Sequence, residues 1–259
     1  MTDEAAAESA EPILRLRGIG RRFGGLHAVR DVDLDVAHGE RRAILGPNGA
    51  GKTTLFNVIS GDVAPTSGSI EFLGSDISAL PPRARAKLGM GRTYQKSRSF
   101  LGLTVEDNVY LALLGVQRGH FRPVLSKRDG ALRERAHELV RAVGLPGREQ
   151  TLVGSLSHGE QRQLEVAMAR ASNPRLMMLD EPASGLSRGE RVALTELLLG
   201  LDPAITLILI EHDMDVALRV ADRVTMMHDG RVIVEGTPDE IRANQTVHDL
   251  YLGRSNSDE

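Results

Sequence analysis

The residues best suited to chemistry form one run, Gly46-Pro47-Asn48-Gly49-Ala50-Gly51-Lys52-Thr53-Thr54. It matches G-x-x-x-x-G-K-[ST], a phosphate-binding loop. The glycines let successive backbone N–H groups turn toward one anion, and a following helix N-terminus adds partial positive charge. Lys52 has the reach for the β- and γ-phosphates of a nucleotide, and the Thr53 hydroxyl is placed to ligate Mg²⁺. A second candidate is Asp180-Glu181, directly after the apolar run Leu176-Met177-Met178-Leu179. Carboxylates at the carboxyl end of a parallel strand face the ligand crevice of an open α/β sheet. Asp180 would hold the metal and Glu181 would orient or deprotonate an attacking water. Read alone, the pair also fits two ordinary turn acids.

A third loop, Leu156-Ser157-His158-Gly159-Glu160-Gln161, precedes the apolar helical face Leu164, Ala167, Met168 and Ala171. Small residues at a helix N-terminus make a second anion site. Ser157 also fits a plain helix N-cap. One phosphate chain rarely needs two such sites. The economical arrangement is a dimer in which each chain offers this loop to the other chain's nucleotide.

The elements around these loops are legible from periodicity. Val32, Leu34 and Val36 alternate with Asp31, Asp33 and Asp35, which predicts a half-exposed strand, and His38-Gly39 predicts a turn. Arg42 to Leu45 reads as a buried strand feeding the phosphate loop. A helix from Gly51 carries Leu55, Phe56, Val58 and Ile59 and stops at Gly61. A strand is expected over Ser69–Leu73, and a helix is expected to open at Pro81-Pro82. Helices over Thr104–Gly115 and Asp129–Val143, with no strand between them, predict a helical insertion in an α/β body. Strands at Leu176–Leu179 and Ile205–Ile210, separated by a helix over Arg188–Leu201, predict a parallel sheet. A hairpin is expected around Asp229-Gly230.

Composition narrows the classes. The 259 residues carry 32 Lys+Arg against 35 Asp+Glu, a net charge of -3, which gives no support to a nucleic-acid binder working by bulk positive charge. The absence of cysteine excludes disulfide scaffolds, thiolate metal sites and cysteine nucleophiles. No run approaches the roughly 20 apolar residues of a membrane span, so a membrane role must come through a partner. The acidic start MTDEAAAESAEP lacks the pattern of a signal peptide.

Together the loops resemble the ATP-binding-cassette (ABC) ATPases, whose signature loop is Leu-Ser-Gly-Gly-Gln. The resemblance covers nearly all of Ile13 to Gly236. It implies an α/β fold: a P-loop NTPase core with an antiparallel β-subdomain and a helical subdomain. Phe23 stands where the family stacks an aromatic on adenine, although an aromatic there also fits simple packing in the β-subdomain. Gln95 matches the glutamine that senses the γ-phosphate and metal. Ser184 to Ser187 occupy the loop after the acidic pair, and His212 matches the switch histidine on the γ-phosphate. Ser157, Gly159 and Glu160 fall on the signature. Two positions depart from the family pattern: His158 replaces a signature glycine, and Ser187 stands where many members have Asp.

A narrower resemblance, to the ATPases of branched-chain (hydrophobic) amino acid importers, rests on Phe23-Gly24-Gly25-Leu26, the variant signature and the ending Tyr251-Leu252-Gly253. Urea and amide importers share much of it. The resemblance implies a subunit at the cytoplasmic face of the cell membrane, binding ATP and Mg²⁺. It implies transmembrane permease partners, a second ATPase subunit (the same chain or a paralogue) and, indirectly, an extracytoplasmic solute-binding protein. The expected division is a disordered start over 1–12, the β-subdomain and first part of the core over 13–96, and the helical subdomain with signature loop over 97–165. The second part of the core follows over 166–236, then a C-terminal helix and tail over 237–259. Two other classes compete. A non-transport ATPase acting on DNA would carry a long coiled coil between Lys52 and Ser157, and one acting on ribosomes would carry two cassettes. A small-molecule kinase would leave Leu156–Gln161 and His212 unexplained.

Overall fold

The computed structural model describes residues 11–93, 99–116 and 127–252. The chain begins with β1 (Leu14–Phe23), β2 (Leu26–Val36), β3 (Arg41–Leu45), α1 (Lys52–Ser60), β4 (Ser67–Phe72), β5 (Ser75–Asp76), α2 (Pro82–Lys87) and β6 (Met90–Arg92). There follow α3 (Val105–Val116), α4 (Lys127–Ala142), a 3₁₀ turn (Val153–Ser155), α5 (His158–Arg170), β7 (Leu176–Asp180) and α6 (Arg188–Leu199). The last elements are β8 (Thr206–Ile210), α7 (Met214–Val220), β9 (Arg223–His228), β10 (Arg231–Gly236), α8 (Pro238–Ala243) and α9 (Gln245–Leu252). They fall into two compact units. The first comprises the residues up to Arg85 and those from Pro203 onward; the second is Ala86–Asp202.

In the first unit an antiparallel sheet runs in the order β2-β1-β4-β5. The expected alternation in β2 holds, with Val29, Val32, Leu34 and Val36 buried and Asp33 and Asp35 exposed. β1 is longer than its apolar content suggests. Its pairing with β2 shifts register between Leu16 and Ile19. There Gly18 takes φ 58°, and its N–H donates to Asp33 Oδ1 at 2.7 Å. A bulge whose freed N–H finds a side chain keeps the strand going. In the other sheet of this unit β3 lies between β8 and β9, parallel to both, and β10 pairs antiparallel with β9. The β9–β10 hairpin turns through Asp229 and Gly230, both with positive φ, as a two-residue type I′ turn requires.

α1 packs its fully buried Leu55, Phe56, Val58 and Ile59 inward and ends at Gly61 in the left-handed conformation. Its last carbonyls are satisfied by a buried guanidinium: Arg85, 1% exposed, donates to Val58 O at 2.8 Å and Ile59 O at 2.6 Å. A second apolar cluster, including Leu45, Ala217, Val224, Met226, Ile241 and Val247, seats α7, α8 and α9 against β3 and β9.

In the second unit β6 pairs parallel with β7, and α3, α4 and α5 pack together. The expected pair of helices is present as α3 and α4. Thr104 opens α3, its Oγ1 accepting from Asp107 N at 3.1 Å. Ala136, Leu139, Val140 and Val143 are buried along α4 as the spacing predicts. Glu106, also buried, accepts from Arg133 at 2.7 Å and Gln150 at 2.5 Å and lies 3.0 Å from His137 Nε2.

Candidate functional site

The phosphate loop connects β3 to α1. Gly46, Gly49 and Gly51 take φ of 150°, 82° and 96°, which suits residues without a Cβ. At two of them space is also lacking. A Cβ on Gly46 would lie 2.2 Å from Met227 O, and one on Gly51 would lie 2.3 Å from Ala28 O. The loop is therefore pressed against β9 on one side and the β1–β2 hairpin on the other. Lys52, 5% exposed, folds back over it, its Nζ donating to Gly46 O at 2.6 Å and Pro47 O at 3.1 Å. Asn48, Gly49 and Thr53 are exposed.

Phe23 ends β1 at the tip of the hairpin that Gly51 abuts, paired with Leu26. It is 45% exposed, so packing in the β-subdomain does not account for it. The Arg21 guanidinium covers one face of its ring at 4.4 Å. On the other side of the loop the parallel register pairs Ile44 with Ile210. Two residues further along each strand stand Gly46 and His212, so register places both at the carboxyl edge of the sheet. The backbone around His212 is held from beneath: buried Glu211 accepts from His212 N at 3.2 Å, and Asp213 caps α7 by accepting from Val216 N at 3.2 Å. His212 itself is exposed. Within the first unit the phosphate loop and His212 thus share one edge, and Phe23 ends the hairpin whose Ala28 packs on the loop.

The second unit holds the acidic pair and the signature loop. β7 is buried throughout and ends at Asp180, 2% exposed. The N–H of Asp180 donates to Thr93 Oγ1 at 3.3 Å, and Thr93 N donates to Met178 O at 2.9 Å, so the strand end is fixed by its parallel neighbour. Glu181 takes φ 48°, the left-handed region. Such a backbone costs on the order of 1–3 kcal/mol for a residue with a Cβ and is found where surrounding structure imposes it. Gln95 lies outside the described residues.

Ser157 is the N-cap of α5, and the loop closes as a complete capping box: Glu160 N donates to Ser157 Oγ at 3.2 Å, and Ser157 N donates to Glu160 Oε2 at 2.8 Å. His158 is the first helical residue and takes no positive φ, so the backbone here does not demand the glycine it replaces. Gly159 is different. Its N–H donates to Glu190 Oε1 at 2.9 Å, and a Cβ there would lie 2.7 Å from Glu190 Cγ. Ser187 caps α6 in the same way Ser157 caps α5, with Glu190 as its partner. Serine and aspartate are comparable N-caps, so the departure at Ser187 leaves the helix start intact. The N–H and hydroxyl of Ser187, then the N–H of Gly159, hold the Glu190 carboxyl down at about 2. Sequence reasoning missed Glu190, although Ser187-x-x-Glu190 is a capping-box pattern.

Chemically, a loop of positive-φ glycines, two of which have no room for a side chain, with a lysine folded over it, fits a polyphosphate. Oxygen donors of the kind a hard divalent cation takes are present in each unit taken by itself: the exposed Thr53 residue in the first carries a hydroxyl, and the buried Asp180 in the second carries a carboxylate. Among the described residues no group of three His, Cys, Asp or Glu side chains forms a metal cage of its own.

Known families match the chain over most of its length. The family described as ABC transporter matches residues 29–184, and that described as branched-chain amino acid ATP-binding cassette transporter matches residues 231–255. The high-affinity branched-chain amino acid transport ATP-binding protein LivG of Salmonella typhimurium is 36% identical over 95% of this chain and 100% of its own. The ADP conformation of MJ1267, an ATP-binding cassette of an ABC transporter, superposes with a TM-score of 0.82 at 28% identity, covering 93% of this chain and 98% of that one. The ATP-binding cassette MJ0796, dimeric and bound to ADP and Pi in a post-hydrolysis state, gives 0.75 at 26% identity, covering 87% and 98%. The chain belongs to the ABC transporter ATP-binding cassettes and is an ATPase of that family.

Proposed function

We propose that this chain is the motor subunit of an importer for branched-chain or other hydrophobic amino acids, held at the cytoplasmic face of the membrane by permease subunits. The observation that carries the cargo is the C-terminal match over 231–255, where the branched-chain family is distinguished from cassettes in general. The relatives' high-affinity branched-chain transport supports the same class. Among the described residues no helix is long and apolar enough to cross a membrane.

In this reading Gly46 to Thr54 bind the phosphates and Lys52 neutralises the β- and γ-oxygens. Phe23 offers its ring to the adenine. Thr53, Asp180 and Gln95 would hold Mg²⁺, which supplies charge neutralisation at the phosphates. Glu181 orients the attacking water and accepts its proton; His212 contacts the γ-phosphate. Ser157, Gly159 and Glu160 of a second subunit, the same chain or a paralogue, close over the nucleotide. The dimeric relative bound to ADP and Pi supports this sandwich. Closure follows because these contacts exist only in the closed state. Loss of the γ-phosphate removes them, and the halves part.

The face toward the permease is proposed on the second unit. Phe100, Leu101 and Leu152 are 57%, 56% and 53% exposed. They are neighbours: Gly154 N donates to Leu101 O at 3.0 Å, and Thr104 bridges to Leu152. The segment 97–165 would then act as the arm that carries the signature loop and meets the permease. Reconstitution with the permeases in vesicles, with binding protein and labelled leucine, tests the reading. ATP-dependent leucine uptake is expected. Uptake of urea or an amide instead would reassign the cargo, and no ATP-dependent uptake of any of these would remove the importer reading.

A further inference from the structure

One carboxylate joins two loops that sequence treats as separate. Glu190 Oε2 accepts from the Ser187 N–H at 2.9 Å and from the Ser187 hydroxyl at 2.8 Å. Its other oxygen, Oε1, accepts from the Gly159 N–H at 2.9 Å. A capping-box glutamate ordinarily serves only its own helix. Here it serves α6 with one oxygen and the first turn of α5 with the other. The contact is close: a single added Cβ on Gly159 would meet Glu190 Cγ at 2.7 Å and Oε1 at 2.8 Å. Hydrogen bonds to an ionised acceptor are about twice as strong as neutral ones, so the bridge is stiff. His158 and Gly185 also approach one another, a Cβ on Gly185 lying 3.8 Å from His158 Nδ1.

The two loops serve different nucleotides in the sandwich proposed above, and the inference rests on that reading. Ser187 ends the loop that begins at Glu181, which acts on the nucleotide of its own chain. Ser157 and Gly159 act on the nucleotide of the facing chain. We propose that Glu190 is a positioning residue that couples the two nucleotide sites of the dimer, by holding the signature loop and the loop behind the acidic pair as one body. A change at one γ-phosphate then moves the loop that grips the other. That supplies the two sites and the shared element that coupling requires.

The test uses the whole transporter complex in vesicles, measuring ATPase rate against ATP concentration for wild type, Glu190→Ala and Glu190→Gln. Glutamine keeps the shape but has one acceptor oxygen, so it can serve Ser187 or Gly159 but not both. With two coupled sites the wild-type Hill coefficient is expected to approach about 2, and both variants are expected to fall toward about 1. A purely structural role would lower the saturating rate and the melting temperature together and leave the steepness alone. Variants as steep as wild type, or a wild type with no steepness to lose, would overturn the proposal while leaving the ATPase reading intact. A wild-type complex without ATPase activity would end both. If Glu190→Ala does not fold, the near-isosteric Glu190→Gln decides by the same readout.

Discussion

The Nζ of Lys52 lies 2.6 Å from the main-chain oxygen of Gly46, the residue that opens the loop Lys52 closes. A buried ammonium must be paired or hydrogen-bonded, and here loop carbonyls do the work. The lysine thus folds across the loop and closes it against the carbonyls of Gly46 and Pro47. Phosphate oxygens would take over from the carbonyls when nucleotide binds.

Lys52→Ala is therefore expected to act on binding and chemistry much more than on folding. Loss of the two carbonyl contacts costs about 1–3 kcal/mol of stability. Removal of the charge is expected to lower hydrolysis by on the order of 10²-fold, as for other preorganised donors to a developing anion. Isothermal titration with ATP and a steady-state phosphate assay measure the two effects. Unchanged ATP affinity in a folded variant would remove Lys52 from the phosphate site.

The loop glycines separate a conformational from a steric requirement. Gly49 has φ 82° with nothing within 4 Å of a Cβ, whereas Gly51 has φ 96° and backbone atoms of Ala28 at 2.3 Å. Gly49→Ala is expected to cost about 1 kcal/mol, the ordinary penalty for a left-handed alanine. Gly51→Ala must also push β2 away from the loop, and about 3 kcal/mol or more is expected, within the range of severe single substitutions. Urea denaturation of both variants decides; equal losses would mean that the contact between Gly51 and Ala28 relaxes freely.

Most of the scaffold was legible because its signals are local. The phosphate loop, the buried strands and the hairpin at Asp229-Gly230 declare themselves by glycine spacing and apolar runs. So do the helix caps, since Ser157-x-x-Glu160, Ser187-x-x-Glu190 and Thr237-Pro238-x-Glu240 are all capping boxes in the structure, yet only a single helix was expected after residue 236. β1 was obscured because a bulge near Gly18 breaks the alternation that Leu14-Arg15-Leu16-Arg17 begins, and Arg21 and Arg22 stand side by side where an apolar residue would carry it on. The Glu190 bridge to Gly159 was hidden for a different reason. It spans 31 residues, and no local pattern tells which distant N–H a surface glutamate will meet.

That bridge gives the chain a pH signature. The Ser187 N–H and hydroxyl and the Gly159 N–H hold the Glu190 carboxyl at about 2, below its ordinary 4.5. A carboxyl depressed in the folded state stabilises fully above its unfolded value, and that stability is lost as pH falls through the folded value. The window is thus from about 4.5 down to about 2. Glu106 shifts the same way: burial alone would raise it, but hydrogen bonds from Arg133 and His137 outweigh that. Urea midpoints are expected to drop between about pH 5 and pH 3, and to drop less in Glu190→Gln, which has no proton to gain. Equal drops in variant and wild type would show that the Glu190 carboxyl is not depressed in solution.

The carboxylate proposed to act on water stands on a strained backbone at Glu181, and two substitutions separate the parts. Its φ of 48° follows directly on the buried strand end at Asp180, and its carbonyl accepts from Ser184 N at 3.1 Å, which closes the turn. Glu181→Gln keeps backbone and shape but removes the carboxylate proposed to take a proton from water. Hydrolysis is expected to fall by about 10²–10⁴-fold, the usual contribution of a general base, while ATP stays bound and a closed dimer accumulates in gel filtration. Glu181→Gly removes the carboxylate and the strain together. It is expected to lose hydrolysis equally but to gain up to about 1 kcal/mol of stability, the opposite of an ordinary loop substitution by glycine. A Gln variant that turns over ATP at the wild-type rate would take Glu181 out of the reaction. A Gly variant less stable than wild type would show instead that the left-handed turn costs this chain nothing.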